Sequence, residues 1–336
     1  MSKPPIPPME AQSVDLIPTG PEWQYEPKWD GFRCIALRDG DSVTLQSKAG
    51  KPLTRYFPDV AAAVAAINAQ RFVLDGEIAV PQDGTFSFDA LLQRIHPVRS
   101  RIDKLARETP ALLIAFDLLQ DEESVIMTLP LKQRRPKLEA LAKNFRAGVR
   151  LSPATTRLSV AKGWLKKVGA TLDGIIAKRR DAPYAAGTRD AMVKVKNFRS
   201  ADCVVGGFRY GTDSKLAGSL LLGLYDGDGL LHHVGFTSSI PRAEKKALTA
   251  KLVKLKDGPG FTGNAPGGPS RWSTERSSQW VPLKPKLVVE VCYDHFSGER
   301  FRHGTRLLRW RPDKAPEQCT MEQVRQKKAD LMRLLK

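Results

Sequence analysis

The chain has 336 residues and 41% hydrophobic content, enough for substantial cores and better matched to two domains than to one. Lysine and arginine number 54 against 36 aspartates and glutamates, a formal charge of +18 that is spread along the whole chain and points to a polyanionic partner. Cys34, Cys203, Cys292 and Cys319 are too widely separated for a zinc knuckle or a redox dithiol. No stretch is apolar and long enough to span a bilayer, and Met1–Pro8 lacks the apolar core of a signal peptide, so a cytoplasmic, membrane-free protein is expected.

In chain order, Phe32 to Leu37 and Val43 to Leu45 read as strands flanking Asp39-Gly40, a dipeptide suited to a tight hairpin. Lys28 therefore stands just before a hairpin. Asp59 is a candidate cap for an alanine-rich helix running through Val64 and Ile67. Further helices are expected around Leu131 to Phe145 and Val160 to Val168. Apolar runs at Val73-Leu74, Leu112 to Leu119, Gly174 to Ala177 and Met192 to Val195 read as buried strands. Beyond about Ser200 the pattern becomes short strands at Cys203–Phe208, Ser219–Tyr225, Leu230–Phe236 and Leu287–Tyr293, with one helical segment near Ala243–Leu255. That is the signature of a small β-barrel. The glycine- and proline-rich stretch from Gly258 to Gly268 reads as a long exposed loop.

The segment Glu26-Pro27-Lys28-Trp29-Asp30-Gly31-Phe32-Arg33 gathers a lysine, a carboxylate, a glycine and an arginine within one turn and the strand it enters. A neutral lysine amine can attack the α-phosphate of a nucleotide, but an ordinary pKa near ~10.4 leaves little free amine at neutral pH. Neighbouring cations lower such a pKa, and Lys194 and Lys196, alternate residues on one strand face, are candidates for them. The same pair would neutralise charge building on the α-phosphate.

These blocks, with Ser47-Lys48-Ala49-Gly50, Asp75-Gly76-Glu77, Phe116-Asp117-Leu118-Leu119, Asp173 to Lys178, Lys194-Val195-Lys196 and Arg309 to Lys314, resemble in order the motifs of the covalent nucleotidyltransferases. That superfamily comprises ATP-dependent DNA ligases, some RNA ligases and capping enzymes. Phe301 to Arg306 leading into the last block makes the chain most similar to the short bacterial C-type DNA ligases and to the ligase part of bacterial end-joining enzymes. The resemblance implies an α+β fold: a nucleotidyltransferase (ATP-grasp-like ligase) domain of antiparallel sheets and flanking helices over 1–199, an OB-fold β-barrel over 200–318, and a helical tail over 319–336.

It also implies roles. Lys28 would be the nucleophile that carries AMP, with Asp30, Arg33, Lys194 and Lys196 as its catalytic company. ATP would be held by Glu26, Lys28, Arg33, Glu77 at the ribose, Phe116 against adenine, Ile176, Lys194 and Lys196. Arg311, Asp313 and Lys314 would orient the pyrophosphate. Asp30 and Asp173 would hold Mg²⁺ or Mn²⁺, Asp173 standing where many relatives carry glutamate. Lys48, where relatives often carry arginine, would bind the 5′-phosphate of the nick together with Arg33. The partner implied is nicked duplex DNA, sealed by a nucleoid-associated monomer in repair, with a repair polymerase or an end-binding protein as a possible companion. Two domain arrangements are implied, closed for adenylation and open around DNA. An RNA ligase, a capping enzyme and a non-enzymatic nucleic-acid-binding scaffold are the alternatives.

Overall fold

The computed structural model describes residues 5–168, 171–267, 279–325 and 329–335. The chain forms two compact units, residues 1–197 with 327–336, and residues 198–326.

Among the described residues, unit 1 contains two main sheets and a two-stranded ribbon, Pro81–Gln82 with Thr85–Phe86. The larger runs Val149–Leu151, Leu112–Asp121, Arg71–Ala79, Phe32–Asp39, Ser42–Ser47, with antiparallel neighbours except for the first pair, and Ser124–Val125 attached to Leu112–Asp121. Its central strands are buried on both sides, so their sequences read as continuous apolar runs. Alternation nevertheless decides what each side chain meets. In Phe32–Asp39, Cys34 and Ala36 pack with Val60, Val64 and Leu138 of the helices, whereas Ile35 and Leu37 pack with Tyr184 and Met192. Arg33 shares the parity of Ile35 and Leu37.

The smaller sheet runs Gln12–Ser13, Met192–Lys196, Gly174–Arg179, Trp23–Lys28. Its register sets three rows side by side: Lys28, Gly174 and Lys196; Glu26, Ile176 and Lys194; Gln24, Lys178 and Met192. Between these rows run Tyr25, Ile175 and Ala177, which pack with Ala161 and Trp164 of the helix Leu158–Val168. A period of two thus sorts charged and polar residues onto one side and apolar ones onto the other. Lys28 is the last residue of a strand, earlier than the hairpin that the sequence suggests. Gly174 has φ +151° and an added Cβ would lie 2.1 Å from the Val195 carbonyl oxygen, so only glycine lets this strand begin beside Asp173.

The expected helices appear as Pro58–Ala65, Leu131–Ala142 and Leu158–Val168, joined by Phe88–Gln93 and Arg99–Glu108, which the sequence pattern did not announce. Asp59 does not cap its helix. The cap position is Phe57, without a side-chain hydrogen bond, and Asp59 instead accepts from both terminal nitrogens of the fully buried Arg94 and from the Ala111 backbone N–H. A buried guanidinium requires a carboxylate more than a helix end requires a cap.

Unit 2 is a five-strand path, Leu231–Thr237, Ala217–Tyr225, Arg199–Tyr210, Val288–Tyr293, Arg306–Trp310, antiparallel throughout, with Val281–Pro282 attached to the central strand. The helix Lys245–Val253 packs on it, as expected from the sequence, and a β-bulge between Val205 and Gly207 bends the longest strand. The stretch expected as an exposed loop carries Phe261 into the core beside His233 and Trp280, and its last residue, Gly268, lies outside the described residues. The expected helical tail forms instead the single 3₁₀ turns Met321–Gln323 and Leu331–Leu334; Leu331 and Leu335 join the core of unit 1. The seven described residues 329–335 hold two hydrophobic anchors there, so burial rather than helix propensity fixes the segment.

Among the charges withdrawn from water, Arg134 and Asp117 form a two-pronged pair, 2.8 and 2.9 Å, each side chain 1% exposed. Removing one partner strands the other. Asp117→Ala is expected to destabilise unit 1 by about 3–5 kcal/mol, read as a fall in the urea midpoint.

Candidate active site

The polar rows of the smaller sheet and the Arg33 side of the larger one line a single pocket. Its wall includes Glu26, Lys28, Arg33, Lys48, Glu77, Phe116, Ile176, Lys178 and Lys194, with Pro8, Met9, Glu10 and Ala11 closing one side. Sequence-distant blocks are therefore brought together by strand register.

Lys28 donates to the Asp173 carboxylate in a close ion pair, and Asp173 is itself buried. Burial alone would lower the Lys28 pKa. The Asp173 charge and hydrogen bond, backed by Glu77 and Asp30, outweigh it, and the net direction is upward. The expectation that Lys194 and Lys196 depress Lys28 is thus corrected: the carboxylates of Asp173, Glu77 and Asp30 outweigh the like charges. The depressed group is Lys194, lowered by burial and then by Lys28 and Lys196. Asp30 lies close by, with one of its carboxylate oxygens within 4.8 Å of one from Asp173. Two carboxylates this near one another supply the hard oxygen donors that a divalent cation selects.

Glu77 faces the pocket from the larger sheet. Burial raises its pKa to about 7, with the charges of Arg33 and Lys28 opposing. Arg33 donates to Asp75 at 2.5 and 2.6 Å and to the Met9 carbonyl at 3.1 Å, and its guanidinium lies 4.7 Å from the centre of the Phe116 ring. Phe116, 8% exposed, also carries the Lys178 ammonium 4.6 Å from its centre. Lys178 in turn pairs with Glu26 at 2.8 Å, both 2% exposed. Ile176 stands between Glu26 and Lys194 in the register.

Lys48 is at the pocket's outer rim, paired with Glu10 at 3.1 Å. Arg189 reaches the same carboxylate. Arg311, Asp313 and Lys314 belong to unit 2, where Asp202 accepts from Arg311 at 2.8 and 2.9 Å and from Lys314 at 2.8 Å, and Asp313 accepts from Arg311. Sequence reasoning passed over Lys178, Tyr184, Met192, Arg189, Asp202 and the Pro8–Ala11 segment. Only Lys178 and Met192 carried a signal, each one alternation from a recognised residue.

Comparison with known proteins follows this geometry. The ATP dependent DNA ligase domain family matches residues 8–196, and the ATP dependent DNA ligase C terminal region matches 213–314. The chain belongs to the ATP-dependent DNA ligases. It is 43% identical to DNA ligase C2 of Mycolicibacterium smegmatis, over 96% of this chain and 94% of that relative. DNA ligase C of Mycobacterium tuberculosis is likewise 43% identical, with the same coverage. Among solved structures, the ligase domain of M. tuberculosis LigD is similar at 29% identity and a TM-score of 0.51, covering 94% of this chain and 98% of that one. Among the described residues, no helix is long and apolar enough to cross a membrane.

The Glu77 environment has a measurable sign. Its folded pKa, about 7, exceeds the ordinary 4.5, so ionisation costs nothing below pH 4.5 and the full penalty is present above pH 7. Glu77→Gln is expected to raise the melting temperature by a few degrees at pH 8 relative to the parent and to change it little at pH 5, measured by calorimetry across that range.

Proposed function

We propose that the chain seals 3′-hydroxyl/5′-phosphate nicks in duplex DNA through an AMP held on Lys28. The carrying observation is the placement of Lys28 at the end of a strand whose register sets Lys196 in its own row and Lys194 in the next, with Lys28 and Lys194 lining a pocket that also holds Glu77 and Phe116. In the first step the Lys28 amine forms a bond to the α-phosphorus of ATP and the bond to pyrophosphate breaks. A 5′-phosphate oxygen then takes the AMP, releasing Lys28, and the 3′-hydroxyl attacks the activated phosphate and expels AMP.

Each residue's role follows from what it presents. Glu77 offers a carboxyl to the ribose hydroxyls, Phe116 an aromatic face to adenine, and Ile176 an apolar contact beside it. Glu26 is tied down by Lys178 and acts as part of the pocket floor. Lys194 and Lys196 meet the growing negative charge at the α-phosphate. Arg33, held by Asp75, and Lys48 serve the nick. Asp30 and Asp173 are the residues that would hold Mg²⁺ or Mn²⁺, which when bound supplies charge neutralisation near the phosphates. Lys28 can act only as the free amine, so its ion pair with Asp173 must be broken before attack. Arg311, Asp313 and Lys314 are assigned to the pyrophosphate, and residues 1–199 and 200–318 to adenylation and to clasping DNA. The excess of basic residues supports backbone contacts along the duplex without sequence reading. Service in repair, beside a polymerase or end-binding protein and as a nucleoid-associated monomer, completes the reading.

Mass measurement after incubation with ATP should show one added AMP on the parent and none on Lys28→Ala. Nick sealing should fall by at least about 10³-fold in that variant, in line with loss of a covalent nucleophile. Labelling by GTP alone, or sealing of nicked RNA in preference to nicked DNA, would turn the assignment to a capping enzyme or an RNA ligase.

A further inference from the structure

Residues Ile6 to Ala11 form a strap along the outer edge of the pocket, and the strap is built rather than draped. The Gln46 side chain clasps Ile6, accepting from its N–H at 3.0 Å and donating to its carbonyl at 2.7 Å, and Ile6 is buried. Tyr184, also buried, accepts from the Met9 N–H at 2.9 Å while donating to Asp75 at 2.6 Å. Arg33 donates to the Met9 carbonyl, and the Glu10 N–H donates to the Thr188 carbonyl at 2.8 Å. The backbone of Glu10 is thereby fixed next to Arg189.

Its side chain then does something the strap does not need for its own support. One carboxylate oxygen accepts from Lys48 at 3.1 Å, and the other takes both Nε and Nη2 of Arg189, at 3.2 and 3.1 Å. Two cations from separate loops, Lys48 just after the strand Ser42–Ser47 and Arg189 just before the strand Met192–Lys196, converge on a single anion. Both are largely exposed, 59% for Lys48 and 68% for Arg189, so neither needs a carboxylate to offset burial. Three donors aimed at one small anion from two sides also match a terminal phosphate. The forked guanidinium of Arg189 adds the two-pronged contact that Lys48, as a lysine, lacks.

We propose that Glu10 is an internal stand-in for the nick's 5′-phosphate, holding Lys48 and Arg189 converged in the DNA-free enzyme and being displaced when a 5′-phosphate arrives. The inference rests on the placement of the nick phosphate at Lys48. A terminal phosphate dianion outbids one carboxylate for two cations, whereas a 5′-hydroxyl offers nothing and leaves Glu10 in place. Glu10 therefore moderates affinity for the correct end.

The test is the binding of fluorescent nicked duplexes bearing a 5′-phosphate or a 5′-hydroxyl, in EDTA so that neither is sealed, to the full chain, Glu10→Gln, Lys48→Ala and the double variant. Glu10→Gln should bind the 5′-phosphate nick roughly three- to tenfold more tightly, the worth of two exposed ion pairs. It should bind the 5′-hydroxyl nick within about twofold of the parent, which registers the general effect of removing one negative charge. In the double variant most of the Glu10→Gln gain should vanish. Equal gains on both nicks, or none on the phosphorylated one while Lys48→Ala abolishes end discrimination, would overturn the role of Glu10. If Lys48→Ala leaves end discrimination intact, the placement of the nick phosphate falls, and this proposal falls with it.

Discussion

Lys28 and Asp173 meet across the edge of two neighbouring strands, and the consequences of that ion pair extend through unit 1. A lysine in a pocket wall, withdrawn from bulk water, is costly as an ammonium without a partner. The protein resolves this by keeping the charge and supplying a carboxylate. The amine is thereby held as an ammonium, and the same carboxylate, with Asp30 near it, presents the donors that a divalent cation would claim. Holding the pair requires a strand that begins immediately after Asp173, which is why a glycine with no room for a Cβ occupies position 174.

The same logic repeats around the pocket. Arg33 has Asp75 and Lys178 has Glu26, and within the second unit Arg311 and Lys314 have Asp202. Glu77 is less fully compensated, because its neighbouring cations only partly offset its burial and leave its pKa at about 7. The pairs do more than neutralise. Asp75 fixes Arg33 over Phe116 and, through Tyr184, anchors the N-terminal strap, so one fully buried carboxylate ties the Phe116 ring, the larger sheet and the pocket's outer edge together. Such a network is rigid because breaking any one link leaves a charge in a poorly solvated place.

The strap gives the pocket an asymmetry. One wall is made of sheet, where position is set by backbone ladders, and the other of an extended segment held by Gln46, Tyr184 and Arg33 side chains. Rim cations gathered on Glu10 are pre-arranged at little cost, since exposed ion pairs are weak and readily exchanged. Strong pairs hold the interior, and weaker, exposed ones stand at the rim.

Much of this was legible in the chain itself. Apolar runs located the strands that carry Phe116, Ile176 and Lys194, and the ordered motifs grouped Glu77, Asp173 and Lys48 with Lys28 although 20 to 145 residues separate them from it. Local periodicity and residue type suffice there, because strand pairing preserves parity and motif order reflects the chemistry of one reaction. What only the tertiary structure decided concerns partners. Nothing in the sequence near Asp59 says that it serves Arg94, nothing near Glu10 says that it gathers Lys48 and Arg189, and nothing near Lys28 says that its nearest charge is opposite rather than like. Ion pairing is set by distances of a few ångströms between residues far apart in the chain, and the balance of burial against charge that fixes a proton exists only once those residues have been folded together.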